Sequence, residues 1–138
     1  MDAAGARDRV AAAQVARLAT VGADGIPHLV PVTFAQQEDH IVIAVDHKPK
    51  KSVNLRRLRN IAENPHVCIL VDHYADDWTQ LWWARADGIA TIHENDERSD
   101  EALALLVAKY DQYREHIPEG PIIDIGVTRW TGWSYTAE

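Results

Sequence analysis

The chain has 138 residues, 46% hydrophobic and 25% charged, with a formal net charge of −7 at pH 7. That is the length of one domain, spanning 1–138, and the composition of a globular protein: too apolar for disorder and too small to enclose a large ligand. The acidic balance argues against general nucleic-acid binding. No apolar run approaches the ~18 residues of a membrane span.

The elements follow in chain order. Arg7 to Val15 is Ala-rich without Gly or Pro and predicts a helix. Ala16 to Thr20 predicts a short strand. Gly22-Ala23-Asp24-Gly25 is a turn signal, and Pro27 to Phe34 predicts the second arm of a hairpin. Gln36-Gln37-Glu38-Asp39 reads as a polar turn, followed by a strand from His40 to Asp46. Ser52 then opens a helix in which Leu55, Leu58, Ile61 and Ala62 recur at helical spacing, stopped by Asn64-Pro65.

His66 to His73 holds the apolar run of a buried strand. Ala75-Asp76-Asp77 is a turn. Gln80 to His93 is long enough for a strand, with Gly88 marking a bulge or bend. Ser99 to His116 predicts a further helix, closed by Pro118-Glu119-Gly120-Pro121. Ile122 to Tyr135 predicts a last strand or strand pair. Short turns between neighbouring strands imply a largely antiparallel sheet. About six strands curl rather than lie flat. The fold expected is a small barrel with flanking helices, mainly β or α+β.

Lys48, Lys50, Lys51, Arg56, Arg57 and Arg59 concentrate six of the fourteen Lys and Arg residues where a strand runs into a helix. Free N–H groups and the dipole at a helix start favour anions. This run reads either as a phosphate or carboxylate site or as a solvated helix face. Trp78 to Trp83 holds three of the five Trp residues, suited to stacking on a planar ring, to a core or to a subunit interface. Alternation sends Trp82 and Trp83 to opposite faces of a strand. The seven His residues are scattered without metal-ligand spacing, so no metal is expected. The single Cys68 lies in an apolar run and reads as inert core. No motif selects a catalytic residue. The polar, acidic start and the lone cysteine lead us to expect a cytoplasmic protein.

Several segments together resemble a known family. Arg17-Leu18-Ala19-Thr20 with Gly25-Ile26-Pro27-His28-Leu29-Val30-Pro31-Val32 is similar to the opening hairpin of the pyridoxamine 5'-phosphate oxidase-like split β-barrels. Arg57 to Val67 resembles their basic helix and its Asn-Pro exit. Leu70-Val71-Asp72 and Arg85 to Ala90 resemble the next two strands. Within that group the chain looks most similar to the flavin/deazaflavin oxidoreductases of subgroup B, short actinobacterial members that use the deazaflavin coenzyme F-420.

The resemblance implies a six- to seven-stranded antiparallel split β-barrel. It implies a homodimer with cofactor sites at the interface, and hydride transfer between reduced deazaflavin and a small unsaturated substrate. It places the cofactor's phosphate end on Lys50, Lys51, Ser52, Asn54 and Arg57, and its ring near Pro31, Val32, Thr33 and Val45. The partner subunit would add Trp78, Trp83 and Arg129. The chain lacks the fuller set of flavin-phosphate and substrate residues of a true pyridoxamine phosphate oxidase, so that activity is not expected. The alternatives are an FMN-dependent oxidoreductase of the same fold, and a carrier of cofactor or haem without turnover.

Overall fold

Alternating burial decides which side of each strand faces inward. In β1 (Ala16–Val21) Ala16, Leu18 and Thr20 are buried while Arg17 is exposed. In β5 (His66–His73) the buried set is Val67, Ile69 and Val71. In β6 (Trp82–His93) it is Ala84, Ala86, Gly88 and Ala90. The remaining strands are β2 (Pro27–Val32), β3 (Ala35–Gln37), β4 (His40–Ala44) and β7 (Ile122–Ser134). The computed structural model describes residues 1–45 and 52–136, with side chains described throughout except at 52–55. Its seven strands form one sheet in the order β2-β1-β5-β6-β7-β4-β3, antiparallel at every pairing. The sheet curls into a half-barrel, as expected of a split barrel.

Two helices close the concave side. From α1 (Ala3–Ala12) come Ala6 and Val10, and from α2 (Ser52–Glu63) come Leu58 and Ile61. They join Leu18, Val32, Phe34, Ile43, Val45, Ile69, Val71, Ile123 and Ile125 in one core. A smaller cluster on the other side of β4 packs Ala102 and Leu106 of α3 (Glu97–Lys109) against Ala35, Val42 and Ile122. A buried polar tie fixes α3 further. Asp124 on β7 accepts from Arg98 Nε at 3.0 Å and from His40 Nδ1 at 3.1 Å. Burial pushes the Asp124 carboxyl up, but these two donors outweigh it and hold it below the usual carboxylate range. Among the described residues no helix is long and apolar enough to cross a membrane.

Several elements differ from the sequence expectation; among them, Gln80, expected to open a strand, closes a 3-10 turn, and that strand starts at Trp82. The first helix begins earlier, because Asp2 caps it by accepting from Gly5 N–H at 2.8 Å, and ends at Ala12. Residues expected as a polar turn, Gln36 and Gln37, belong to β3; the turn is Glu38-Asp39, with Glu38 at φ 53°. The strand expected to reach Phe34 stops at Val32. The helix expected over 99–116 breaks at Tyr110, which takes an extended backbone between α3 and α4 (Asp111–Glu115). The tertiary contacts of the Tyr110 side chain, described below, favour that break over a continuous helix.

The bulge expected at Gly88 is present. Asp87 faces Arg129 and Gly88 faces Val127, so Thr128 is the extra residue of β7. A Cβ on Gly88 would lie 2.6 Å from the Gly126 carbonyl oxygen and 2.7 Å from Ile125 Cγ2. We therefore expect Gly88→Ala to destabilise the fold by about 1–3 kcal/mol, the usual range for forcing atoms into a packed interior. At Gly126 the nearest atoms to an added Cβ stand 3.9 Å away, so Gly126→Ala should stay within about 0.5 kcal/mol. Urea unfolding of both variants checks this, and equal losses would remove the close-approach explanation.

Candidate functional site

Helix α2 is pinned at its C-terminal end. Asn60 Nδ2 donates to Thr20 Oγ1 at 3.1 Å, and Glu63 accepts from Ala23 N–H at 2.9 Å. Gly22 permits this approach, since a Cβ there would lie 2.6 Å from the Glu63 carboxylate and 2.7 Å from Asn60 Oδ1. The amphipathic spacing turns Leu58 and Ile61 to the core. These anchors leave the preceding turn, with Arg56 and Arg57, facing β2 and α4.

A polar cluster forms at that place. Arg57 is half-buried, and burial lowers its pKa while the neighbouring Tyr113 offsets part of the effect. His28 on β2 is pushed down first by burial and then by Arg56 and Arg57, which keeps it a neutral imidazole at pH 7. Its Nδ1 is buried without a hydrogen-bond partner among the described residues. Thr33 Oγ1 lies 2.7 Å from the Tyr113 hydroxyl. Two guanidiniums, two hydroxyls and an unsatisfied imidazole nitrogen form a donor-rich set that suits an anion.

The break between α3 and α4 builds the wall beside this cluster. The Tyr110 hydroxyl accepts from Phe34 N–H at 3.0 Å and donates to the Gln14 carbonyl at 2.6 Å. Its ring meets Tyr113 edge-on, with centroids 5.5 Å apart. Lys109 Nζ donates to the carbonyls of Ala13 at 2.7 Å and Phe34 at 2.8 Å. Between them runs a groove of about 540 Å³ that includes Thr33, Lys109, Tyr110 and Tyr113. The sequence reading missed Lys109, Tyr110 and Tyr113. They fall inside the segment expected as one helix over Ser99 to His116.

The expected site residues separate into several places. Thr33 and Arg57 come together at Tyr113. Pro31 is exposed on β2, two residues before Thr33. Val32 and Val45 are 6% and 1% exposed and belong to the core, because strand alternation turns them inward; they offer a ligand almost no surface. Lys50 and Lys51, and the side chains of Ser52 and Asn54, lie outside the described residues; Ser52 is the first residue of α2.

Trp83 and Arg129 stand on the outer face of β6 and β7. Strand β6 is three strand spacings from β2, about 14 Å. Trp78 is 68% exposed in a single 3-10 turn at 78–80. Trp82 faces the other way from Trp83, packing on the core with the Arg9 guanidinium 4.6 Å from its ring centre. Cys68 is half-buried on the outer face rather than in the core, and burial, then Asp87, pushes its thiol pKa up, which keeps it protonated.

Residues 4–134 match the pyridoxamine 5'-phosphate oxidase family. The chain belongs to this family. Over 56 residues it is 43% identical to the 5a,11a-dehydrotetracycline/5a,11a-dehydrooxytetracycline reductase of Streptomyces rimosus, a stretch covering 41% of this chain and 38% of that relative. A FAD-binding protein from Mesorhizobium loti shares the fold with a TM-score of 0.72 at 18% identity, over 96% of this chain and 94% of that one. A haem-binding protein from Mycobacterium smegmatis has a TM-score of 0.78 at 20% identity, over 99% of this chain and 56% of that one. At such identities these two show the fold alone. The pyridoxamine 5'-phosphate oxidase family match thus covers nearly the whole half-barrel, including α2 and the α3–α4 wall.

Lys109 carries a testable electrostatic consequence. Burial lowers its pKa from the ordinary 10.5 to about 8. Between those values the folded chain has released this proton and the unfolded chain still holds it. The unfolded state then binds more protons, so this residue adds stability as pH rises from about 8 toward 10.5. In NMR of lysine-labelled protein, one signal should titrate with a midpoint of about 8 and vanish in Lys109→Arg. A Lys109 signal titrating with the other lysines would contradict this.

Proposed function

We propose that this protein is an oxidoreductase that uses the deazaflavin coenzyme F-420 to reduce a small unsaturated organic substrate, as a cytoplasmic homodimer. The observation that carries the reading is the cationic cluster of Arg56 and Arg57 with His28, Thr33 and Tyr113, set in a chain of net charge −7. Charge is gathered here against the average of the molecule. The partly matching reductase from Streptomyces rimosus, named for dehydro-substrates, supports reduction as the direction.

Arg56 and Arg57 would hold the phosphodiester of the cofactor, with Lys50 and Lys51 of the same basic run adding charge. Thr33 and the neutral imidazole of His28 would orient it by hydrogen bonds. When bound, the deazaflavin supplies the hydride, and the protein's part is to position it and exclude water. The anchoring of α2 through Asn60 and Glu63 holds the guanidiniums in place before the ligand arrives.

Dimerisation rests on the outer face of β5, β6 and β7. Leu70, Trp83 and Trp133 lie there beside the ion pairs Arg17–Asp72 and Arg85–Asp87. Trp133 and the nearby Tyr74 remain 39% and 60% exposed, an apolar area that a second subunit would cover. Pairing two such faces would bring Trp83 and Arg129 of one subunit toward the cofactor of the other, which is how residues so far from Thr33 could share its site. We expect sedimentation to give a dimer at micromolar concentration and Trp83→Glu to shift it toward monomer. A wild type that sediments as monomer throughout would refute the interface.

Calorimetric titration tests the cofactor. Deazaflavin should bind more tightly than FMN, and lose affinity more steeply with salt because more charged contacts are screened. Arg57→Ala with Lys51→Ala should weaken it by at least about tenfold, since charge-assisted contacts contribute about 1.5–3 kcal/mol each. FMN binding equal to or tighter than deazaflavin would transfer the function to flavin, and tight haem binding without turnover would make the protein a carrier.

A further inference from the structure

The α3–α4 corner holds a cation that the reading above does not use. Lys109 is half-buried, with its ammonium 3.8 Å from the centre of the Phe34 ring and 5.1 Å from that of Tyr110. Two backbone carbonyls take two of its three N–H groups. Among the described residues no carboxylate pairs with it. Asp111, on the same groove, is 2.6 Å from Arg114 and is thereby neutralised. The rest of the lining is donor-rich: the hydroxyls of Thr33 and Tyr113 and the amides of Gln14 and Gln112. Tyr113 belongs both to this groove and to the Arg57 cluster, so the two are continuous.

We propose that this groove is a second anion subsite, in which Lys109 receives a carboxylate of the tail of the same cofactor whose phosphodiester lies on Arg56 and Arg57. The inference rests on the deazaflavin reading and adds the route of the tail. A half-buried ammonium without a counter-ion is costly, and a ligand carboxylate removes that cost. FMN, ending in one phosphate, has no group to place there.

Burial lowers the pKa of Lys109, and a bound carboxylate favours the charged form. Tail binding therefore takes up a proton above about pH 8 and weakens as pH rises. The other titratable groups on the groove are Tyr110, raised by burial, with Tyr113 and Asp111 of α4. The end of α1 contributes Gln14 and Val15, and the link after β2 contributes Thr33 and Phe34, none of them titratable.

The test is calorimetric titration of the full chain with coenzyme F-420 bearing its carboxylate tail and with the tail-less deazaflavin riboside, at pH 7 and pH 9. Wild type, Lys109→Met and Lys109→Arg are compared, with circular dichroism melts to confirm folding. Lys109→Met should lose about tenfold in affinity for the tailed cofactor and nothing for the riboside, and Lys109→Arg should keep most of the affinity. The preference of wild type for the tailed form should shrink between pH 7 and pH 9. Unchanged affinity for the tailed cofactor in a folded Lys109→Met, or equal losses for both ligands, overturns the subsite while leaving the deazaflavin reading intact. If wild type binds neither ligand, the deazaflavin reading fails and the subsite falls with it. Should Lys109→Met not fold, the wild-type comparison decides: a preference for the tail that is the same at both pH values overturns the subsite.

Discussion

The pairing of β6 with β7 is the constraint on which the rest of the molecule depends. It runs from Trp82 opposite Ser134 to His93 opposite Ile122, and β5 and β4 add to its two sides. Its inner surface carries the small residues Ala84, Ala86 and Ala90, which leave room for α1 and for the branched side chains of β4 and β5. The bulge at Gly88 increases the local twist, and a bulge of this kind is a common way to bend a flat ladder into a barrel wall. A side chain at Gly88 would collide with the Gly126 carbonyl, so the close approach of β6 and β7 at this point needs glycine.

That curvature creates two chemically different surfaces. The concave side is apolar and is filled by α1 and α2. The convex side sets Trp83 and Leu70 beside the ion pairs Arg17–Asp72 and Arg85–Asp87. The candidate site lies at the barrel end instead, where α2 arrives from one side and the α3–α4 break from the other. Arg56 and Arg57 lie near His28 and the Thr33 and Tyr113 hydroxyls, and Lys109 donates to two backbone carbonyls. Elsewhere Arg98 pairs with Asp124 and Arg114 with Asp111. Local excess of one sign in a chain of the opposite sign is an electrostatic focus for a ligand.

The Tyr110 hinge shows how a packing choice becomes a site. Helix propensity over Ser99 to His116 is continuous, and local rules favour one helix. Breaking it lets the Tyr110 hydroxyl reach Phe34 and Gln14, and lets Lys109 cross to Ala13. These bonds satisfy backbone groups at the ends of α1 and β2 that would otherwise be left unpaired near the core. The same bonds align Tyr113 with Thr33 and open the groove between them.

By itself the sequence determined the parts governed by local physics. Strand alternation, the Gly22–Gly25 turn, the Asn64-Pro65 stop and the bulge at Gly88 are all legible because each depends on neighbours a few residues away. So is the basic segment, whose Arg56 and Arg57 do enter the polar cluster. The phase of burial was harder: Val32 and Val45 belong to the core and Cys68 to the outer face, and only the register with β1 and with the bonded neighbours decides which alternate set turns inward. The role of Lys109, Tyr110 and Tyr113 was invisible, because their partners lie 75 or more residues away along the chain. Contacts of that separation are set by how the whole sheet curls, and no local spacing encodes them.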